Sequence, residues 1–393
     1  MKERGESIAG YYDPETCDLQ EFTALIDQNT RADDVPYASA IEKNIPVYDM
    51  QKLRPALEEH QSRRQIMAEW ARVLRVGAGV VALKNTYADT SVLDKATCIF
   101  ERIIAEEKQS MGGGADHFAA AGSNDRIWNS LQKLCENAPD VHMDYFANTS
   151  IATICEAWLG ADYQMTAQVN LVHPGGASQQ PHRDYHLGFQ TADASASYPV
   201  HIHDVSPMLT LQGAIAHCDM PLDSGPTKLL PFSQAYRPGY VAWRRDDFRA
   251  KFEERHVQLP LAKGDTVFFN PALFHAAGAN TSQGIHRLVN LLQISSAFGR
   301  ATESVDRDRM CRLAFPHAVQ ALAESRLSVA ELSAAIAATA EGYAFPTNLD
   351  LNPPINGLAP ESQAAFFQRA LLEGMNEDGF GQQLDLMNRV SRA

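Results

Sequence analysis

No run of this sequence is apolar for long enough to cross a bilayer, and the N-terminus, MKERGESIAG, has no hydrophobic signal core. A membrane protein is therefore not expected. Cysteine is sparse and scattered: Cys17, Cys98, Cys135, Cys155, Cys218 and Cys311 include no C-x-x-C pair. That pattern argues against a disulfide framework or a zinc site, and for reduced thiols in a cytoplasmic protein. Basic residues are outnumbered, 34 Lys and Arg against 48 Asp and Glu, for a net charge of -14. A broad nucleic-acid surface needs clustered Lys and Arg, so the charge argues against that class. A highly anionic substrate is disfavoured only weakly, because a local pocket can oppose the global charge. Repeats and low-complexity segments are lacking as well. What remains is ample: 393 residues, 45% of them hydrophobic, can bury one large core or two ordinary ones.

Residues 1 to 45 are polar and read as an irregular arm laid over the body. Ile66, Met67, Trp70, Val73 and Leu74 share one face of a helix predicted over 62 to 76, which Gly77 can end. GVVALK, 79 to 84, reads as a strand. A second amphipathic helix follows over 91 to 107, through Leu93, Ala96, Phe100 and Ile103. MGGGADHF, 111 to 118, lacks the strand-to-helix context of a phosphate loop and reads as a close-approach or flexible loop. Residues 143 to 159 look helical.

From 163 to 298 short β-rich runs recur: YQMTAQVNLVH, YPVHIH, MLTLQGAIAH, TKLLPF, DTVFFNP and RLVNLLQI. Gly- and Pro-bearing turns separate them, the pattern of a sandwich or barrel. Helix returns after 305. Ser328 and Glu331 form a capping box for a helix that can end at Gly342, NLDLNPPINGLAP is a loop, and Pro360 opens another helix. The expected organisation is a mixed α+β single catalytic domain over 1–393. It comprises an arm and helices over 1–160, a β core over 163–298 and a helical appendage over 305–393. That appendage should pack on the core near its open mouth, or on a second subunit.

Three His-x-Asp pairs occur: His142/Asp144, His182/Asp184 and His217/Asp219. Two His and one carboxylate suit iron(II), and His-x-Asp on a strand aims both side chains one way. Chance alone supplies roughly one such pair in a chain this long, so context decides. The first reads as an exposed polar helix start and the third as a strand-end cap. The second follows the strand AQVNLVH and a loop of small residues, and opens a polar cluster, His182-Arg183-Asp184-Tyr185-His186. Such density in a core β segment is costly without a function. Arg183, Tyr185 and His186 are candidate pocket residues beside it, and Trp128 and Phe118 a candidate lid.

The third metal ligand is His275, after the apolar strand of GDTVFFNPALFH. Arg287 opens an almost wholly apolar strand, and a hairpin would set it opposite His275. A buried guanidinium there requires an anion, and its planar fork fits a carboxylate. His201/His203 and GDTVFFNPALFHAAGAN offer a rival reading, a cupin-type metalloenzyme or binding protein. That reading lacks the expected Glu and gives Arg287 no role. A non-catalytic protein that keeps the fold is the other rival, and the complete triad argues against it.

These residues resemble the phytanoyl-CoA dioxygenase family of iron(II)- and 2-oxoglutarate-dependent oxygenases: H-x-D at His182 and Asp184, a distant His at His275, and an Arg twelve residues on at Arg287. NLVHPGGASQQPHRDYH and DSGPTKLLPFSQ also resemble family segments. Where the family has Pro-Gly-Ser-His, this chain has Pro231-Phe232-Ser233-Gln234. The resemblance implies a double-stranded β-helix (jelly-roll, cupin-like) core flanked by helices, with Fe(II), 2-oxoglutarate and O2 as cofactor and co-substrates. By the same resemblance Arg287 and Asn170 contact 2-oxoglutarate. The implied reaction is oxidation of a small organic metabolite, with release of succinate and CO2. Because Asp184 is present, hydroxylation or another oxidation is favoured over halogenation. No nucleic-acid or membrane partner is implied, and a homodimer is left open.

Overall fold

Helices form where apolar residues recur at helical spacing. The computed structural model describes residues 6–8, 10–111 and 123–392. The first long helix runs His60–Val76 and begins where the Glu59 side chain accepts from the Gln61 and Ser62 N–H groups. It buries Ile66, Trp70, Val73 and Leu74, with Met67 half-buried. Gly77 ends it, its N–H bonding back to the Arg72 carbonyl, and a Cβ there would stand 2.9 Å from the Val73 Cα. The second, Ser91–Met111, buries Leu93, Ala96, Phe100 and Ile103. The stretch expected as one helix over 143 to 159 is two, Pro139–Phe146 and Thr149–Leu159. Asn148 starts the second by accepting from the Ser150 and Ile151 N–H groups. The arm is less irregular than expected: Leu19–Ile26 is helical, and its Phe22 and Ile26 pack with Tyr236, Phe248 and Phe274. Residues 112–118 of the glycine-rich segment, Phe118 included, lie outside the described residues.

The described strands are β1 (Glu6–Ile8), β2 (Tyr11–Tyr12), β3 (Ala40–Glu42), β4 (Ile45–Asp49), β5 (Val80–Lys84), β6 (Asn124–Ile127), β7 (Gln164–Val172), β8 (Thr210–Ala216), β9 (Lys228–Leu229), β10 (Thr266–Phe269), β11 (His275–Ala276) and β12 (Arg287–Ser295). Eight of them form one sheet, in the order β3-β4-β5-β10-β8-β12-β7-β6. Its neighbours are antiparallel except β4 and β5. β9 and β11 make a separate two-stranded sheet. YPVHIH, expected among the β runs, is instead the start of the helix Val200–Met208, with Pro199 just ahead of it. The strand preference of Val200 and Ile202 is a weak force. Here it yields to the burial of His203, whose Nε2 donates to the Ser195 carbonyl at 3.0 Å.

Strand period decides what each face of the large sheet meets. Met165, Ala167 and Val169 of β7, Leu211 and Ile215 of β8, Phe268 of β10 and Leu288 of β12 enter the main core. The alternate residues Gln168, Asn170, Gln212, Ala214, Val267, Phe269, Arg287 and Val289 wall a cavity on the other face. The main core is shared by Trp70 and Phe100 from the N-terminal helices and by Phe315, Phe367 and Phe380 from the C-terminal ones. Helices from both ends of the chain therefore cover one face. The C-terminal helices, Arg307–Ala323, Val329–Thr339, Gln363–Leu372 and Glu377–Ser391, lie in this layer, away from the cavity mouth where they were expected. Arg307 ties them to the sheet by donating to the Met165 carbonyl at 2.9 Å. The Ser328/Glu331 capping box forms, but its helix ends at Thr339, before Gly342. Ser362, not Pro360, caps the next helix. All six cysteines are free thiols. Among the described residues no helix is long and apolar enough to cross a membrane.

Candidate metal and co-substrate site

His182 and His275 are directly opposed. Each N–H donates to the other's carbonyl, at 2.9 and 3.1 Å. Residues opposed in this way project to the same face, and the two rings stand 4.5 Å apart. Each ring spends its Nδ1–H on a backbone carbonyl, His182 on Gln180 at 2.8 Å and His275 on Leu273 at 2.9 Å. That fixes the tautomer and leaves both Nε2 atoms free to bind a metal. Asp184, two residues on, turns the same way: its Oδ1 lies 3.7 Å from His182 Nε2 and its Oδ2 3.3 Å from His275 Nε2. The three ligand atoms fall within 4.8 Å of one another, the one such group among the described residues. Two imidazoles and one carboxylate, converging on an open cavity, fit iron(II).

The local electrostatics agree. Burial alone would raise the Asp184 carboxyl, but the charges and hydrogen bonds of His182 and His275 hold it well below the carboxylate range. His275 is lowered by burial and by the neighbouring His182. Gln212, from the middle of β8, donates to Asp184 Oδ2 at 2.6 Å.

Arg183, between the two ligands, points into the opposite wall. It donates to the Ser233 and Tyr236 carbonyls at 2.6 and 2.8 Å and lies 5.1 Å from the Tyr240 and Phe274 rings. Two glycines make room for it: a Cβ on Gly239 would come within 2.0 Å of its Cζ, and one on Gly188 within 2.1 Å of its carbonyl oxygen. The turn that receives it is Pro231-Phe232-Ser233-Gln234. Phe232 holds a left-handed φ of 69°, at the position where the family pattern places Gly, which takes that conformation freely. Gln234 donates to the Gly77 carbonyl at 2.8 Å.

The cavity has a volume of about 830 Å³ and contains all three ligands, Arg287 and Asn170 in its wall. Arg287 is not across a hairpin from His275: the two stand in different sheets, and both line the cavity. Arg287 is buried and donates to the Ser224 and Gly278 carbonyls at 2.9 and 3.2 Å. Among the described residues no carboxylate pairs with it, and burial lowers its pKa to about 10. A buried guanidinium without a counter-ion is a site for a carboxylate. Asn170, also buried, lines the same cavity, where its amide N–H can donate to a carboxylate. Both fit 2-oxoglutarate.

The rival pairs are occupied elsewhere. His142 is fully buried, not exposed, and its Nε2 meets Thr339 Oγ1 at 2.9 Å, while Asp144 pairs with Arg326. His217 is buried between Thr97 Oγ1 at 2.9 Å and Tyr145 OH at 2.8 Å. Asp219 accepts from the Lys263 N–H at 2.9 Å. His201 and His203 sit on a helix, so they do not share a face as a metal pair on a strand would. Trp128 lines the cavity; Tyr185 and His186 do not. They turn away through positive φ angles of 61° and 38°. Sequence reasoning missed Gln212, Trp243 and Arg244, all in the cavity wall. Of these, only Gln212 left a signal, as the one polar side chain within the apolar run LQGAIA.

The Phytanoyl-CoA dioxygenase (PhyH) family model matches residues 76–288, more than half of the chain. This chain belongs to that family. It is an enzyme dependent on non-haem iron and 2-oxoglutarate, with O2 as the second co-substrate. Comparison with curated proteins gives no match. Among solved structures, the non-heme alpha ketoglutarate dependent epimerase SnoN from nogalamycin biosynthesis is 18% identical, over 60% of this chain and 84% of that one, with a TM-score of 0.39. AviO1 from Streptomyces viridochromogenes Tue57 is 18% identical, over 61% and 98%, with a TM-score of 0.43. The carbocyclase SnoK from the same nogalamycin pathway is 20% identical, over 62% and 89%, with a TM-score of 0.40.

Proposed function

We propose that this PhyH-family enzyme hydroxylates a small organic molecule, with iron(II) on His182, Asp184 and His275 and 2-oxoglutarate held by Arg287 and Asn170. The observation that carries the reading is the pairing of two features in one cavity: a convergent His-Asp-His set, and a buried guanidinium with no carboxylate of its own. We read the large sheet and the β9–β11 pair as the two walls of a double-stranded β-helix. We treat 1–393 as one catalytic unit, because helices from both ends share the core behind the sheet.

Iron(II) held by His182, Asp184 and His275, together with 2-oxoglutarate, would supply oxygen activation coupled to decarboxylation of the co-substrate to succinate and CO2. The protein's residues do the rest. The His182 and His275 rings are locked by their Nδ1–H bonds, so the ligand atoms need no reorganisation. Gln212 fixes the Asp184 carboxylate. Arg287 clamps a planar carboxylate with its fork and sets the co-substrate's orientation. The apolar residues Val267, Phe269 and Val289 in the cavity wall exclude water. Asp184 as a ligand favours hydroxylation over halogen transfer.

The test is anaerobic titration with Fe(II) and 2-oxoglutarate, followed by the visible charge-transfer band of the chelate. The band should form with the wild type and with His142→Ala, and be lost with His182→Ala. A band that survives His182→Ala but not His142→Ala would show that the wrong pair has been chosen.

A further inference from the structure

The cavity wall carries a charge opposite to that of the chain. The protein has a net charge of -14. Yet among the described residues that line the cavity, Asp184 is the one carboxylate, against four guanidiniums: Arg126, Arg183, Arg244 and Arg287. In the reading above, on which this inference rests, Asp184 is given to the metal and Arg287 to the co-substrate. Arg183 is turned into the wall, and Arg126 feels the nearby Glu303.

Arg244 is left. Its guanidinium lies 3.9 Å over the Trp243 ring, and that ring stands 6.4 Å from the His182 ring. Its bonds go to neutral acceptors, the Gly188 and Gln190 carbonyls, at 3.3 and 2.6 Å. Its Nε is buried with no partner. The charge beside it is of the same sign: Arg249 is 5.9 Å from the same Trp243 ring. Burial, and then Arg249, lower the Arg244 pKa. A dication, one ligand carboxylate and a co-substrate dianion together leave a single negative charge at the loaded centre. The surrounding guanidiniums more than cancel it. A neutral substrate would leave the cavity with excess positive charge, while an anion balances it and is drawn in by the field.

We propose that the substrate bears an oxyanion, a carboxylate or a phosphate, which seats on Arg244 above Trp243 beside the metal centre. The global negative charge then repels such molecules from the surface at large, and the cavity alone attracts them.

Fluorescence titration of the full-length protein, loaded anaerobically with Fe(II) and 2-oxoglutarate, tests this. The probes are 2-naphthoate, 2-naphthyl phosphate and the neutral 2-naphthamide. At least one anion should bind about tenfold more tightly than the amide, and which one does so distinguishes carboxylate from phosphate. In Arg244→Gln that preference should fall to within about twofold, with amide affinity unchanged, and Arg244→Lys should restore part of it. The proposal is overturned if neither anion binds saturably, if the amide binds as well as both, or if the preference survives Arg244→Gln. Displacement of the anion by excess 2-oxoglutarate would also overturn it, by placing the anion on Arg287. The charge-transfer band in the same samples reports separately on the metal and co-substrate reading. Its absence would sink that reading, while the Arg244-dependent preference, repeated without metal, stands or falls independently.

Discussion

At the scale of single residues, the site is set by which atoms are already engaged before any ligand arrives. Arg287 has two carbonyls and no anion, so Arg287→Ala should raise the KM for 2-oxoglutarate on the order of 100-fold while Fe(II) still binds. Lys should recover part of this, since it restores the charge without the fork; an unchanged KM in Arg287→Ala would remove the residue from the co-substrate site. Gln212 acts through Asp184. Gln212→Leu keeps the volume but frees the carboxylate, and should weaken Fe(II) about tenfold by equilibrium titration under anaerobic conditions. Wild-type Fe(II) affinity in that variant would mean the 2.6 Å bond does not orient the ligand. The residue scale was also the most legible in the sequence. His182, Asp184, His275 and Arg287 were named from spacing and resemblance, because strand period and a charge in an apolar run are local signals. Gln212, Trp243 and Arg244 were not, because their roles depend on what folds against them.

At the scale of elements, two buried histidines pin helices to one another and to the sheet. His217, just after β8, holds Thr97 and Tyr145 from two helices, and His142 holds Thr339 from a third. Burial, with Lys263 behind it at His217 and Arg307 at His142, pushes both down to about 3 from the ordinary 6.5. In this window the unfolded chain binds protons that the folded chain refuses. Stability is therefore full above 6.5 and falls as pH drops toward 3, by roughly 1.4 kcal/mol per pH unit for each group. Urea unfolding at pH 7 and pH 5 should show this loss, and the double variant His142→Gln, His217→Gln should flatten it. An equal loss in the double variant would place the acid sensitivity elsewhere. Elements with strong periodicity, such as His60–Val76 and β12, were readable in advance. Val200–Met208 was not, because alternating Val, His, Ile and His carry a strand signal that tertiary burial of His203 overrides. The position of the C-terminal helices was equally hidden: an amphipathic face announces that it needs a partner, not which side of the sheet supplies one.

At the scale of the whole molecule, one core binds both ends of the chain. Phe315, Phe366, Phe367 and Phe380 form an aromatic cluster among the C-terminal helices, with Phe315 and Phe380 stacked at 3.8 Å. Phe380→Ala should cost about 3–5 kcal/mol of stability. Deletion after residue 305 should uncover Leu134, Met143 and Met165 and leave an insoluble chain, although none of the removed residues lines the cavity. A soluble truncation that keeps full 2-oxoglutarate turnover would show the layer to be dispensable. The packing around Arg183 bears on how the enzyme could be altered. A wall residue such as Phe189 offers a designer latitude, since it is exposed. Gly239 and Gly188 offer none: one added methyl on either meets Arg183, and the push passes through a single peptide unit to His182 on one side and Asp184 on the other. A library built to change substrate choice should therefore vary the mouth and leave those two glycines untouched. Random mutagenesis should find inactivating changes at both positions, although Gly239 does not line the cavity.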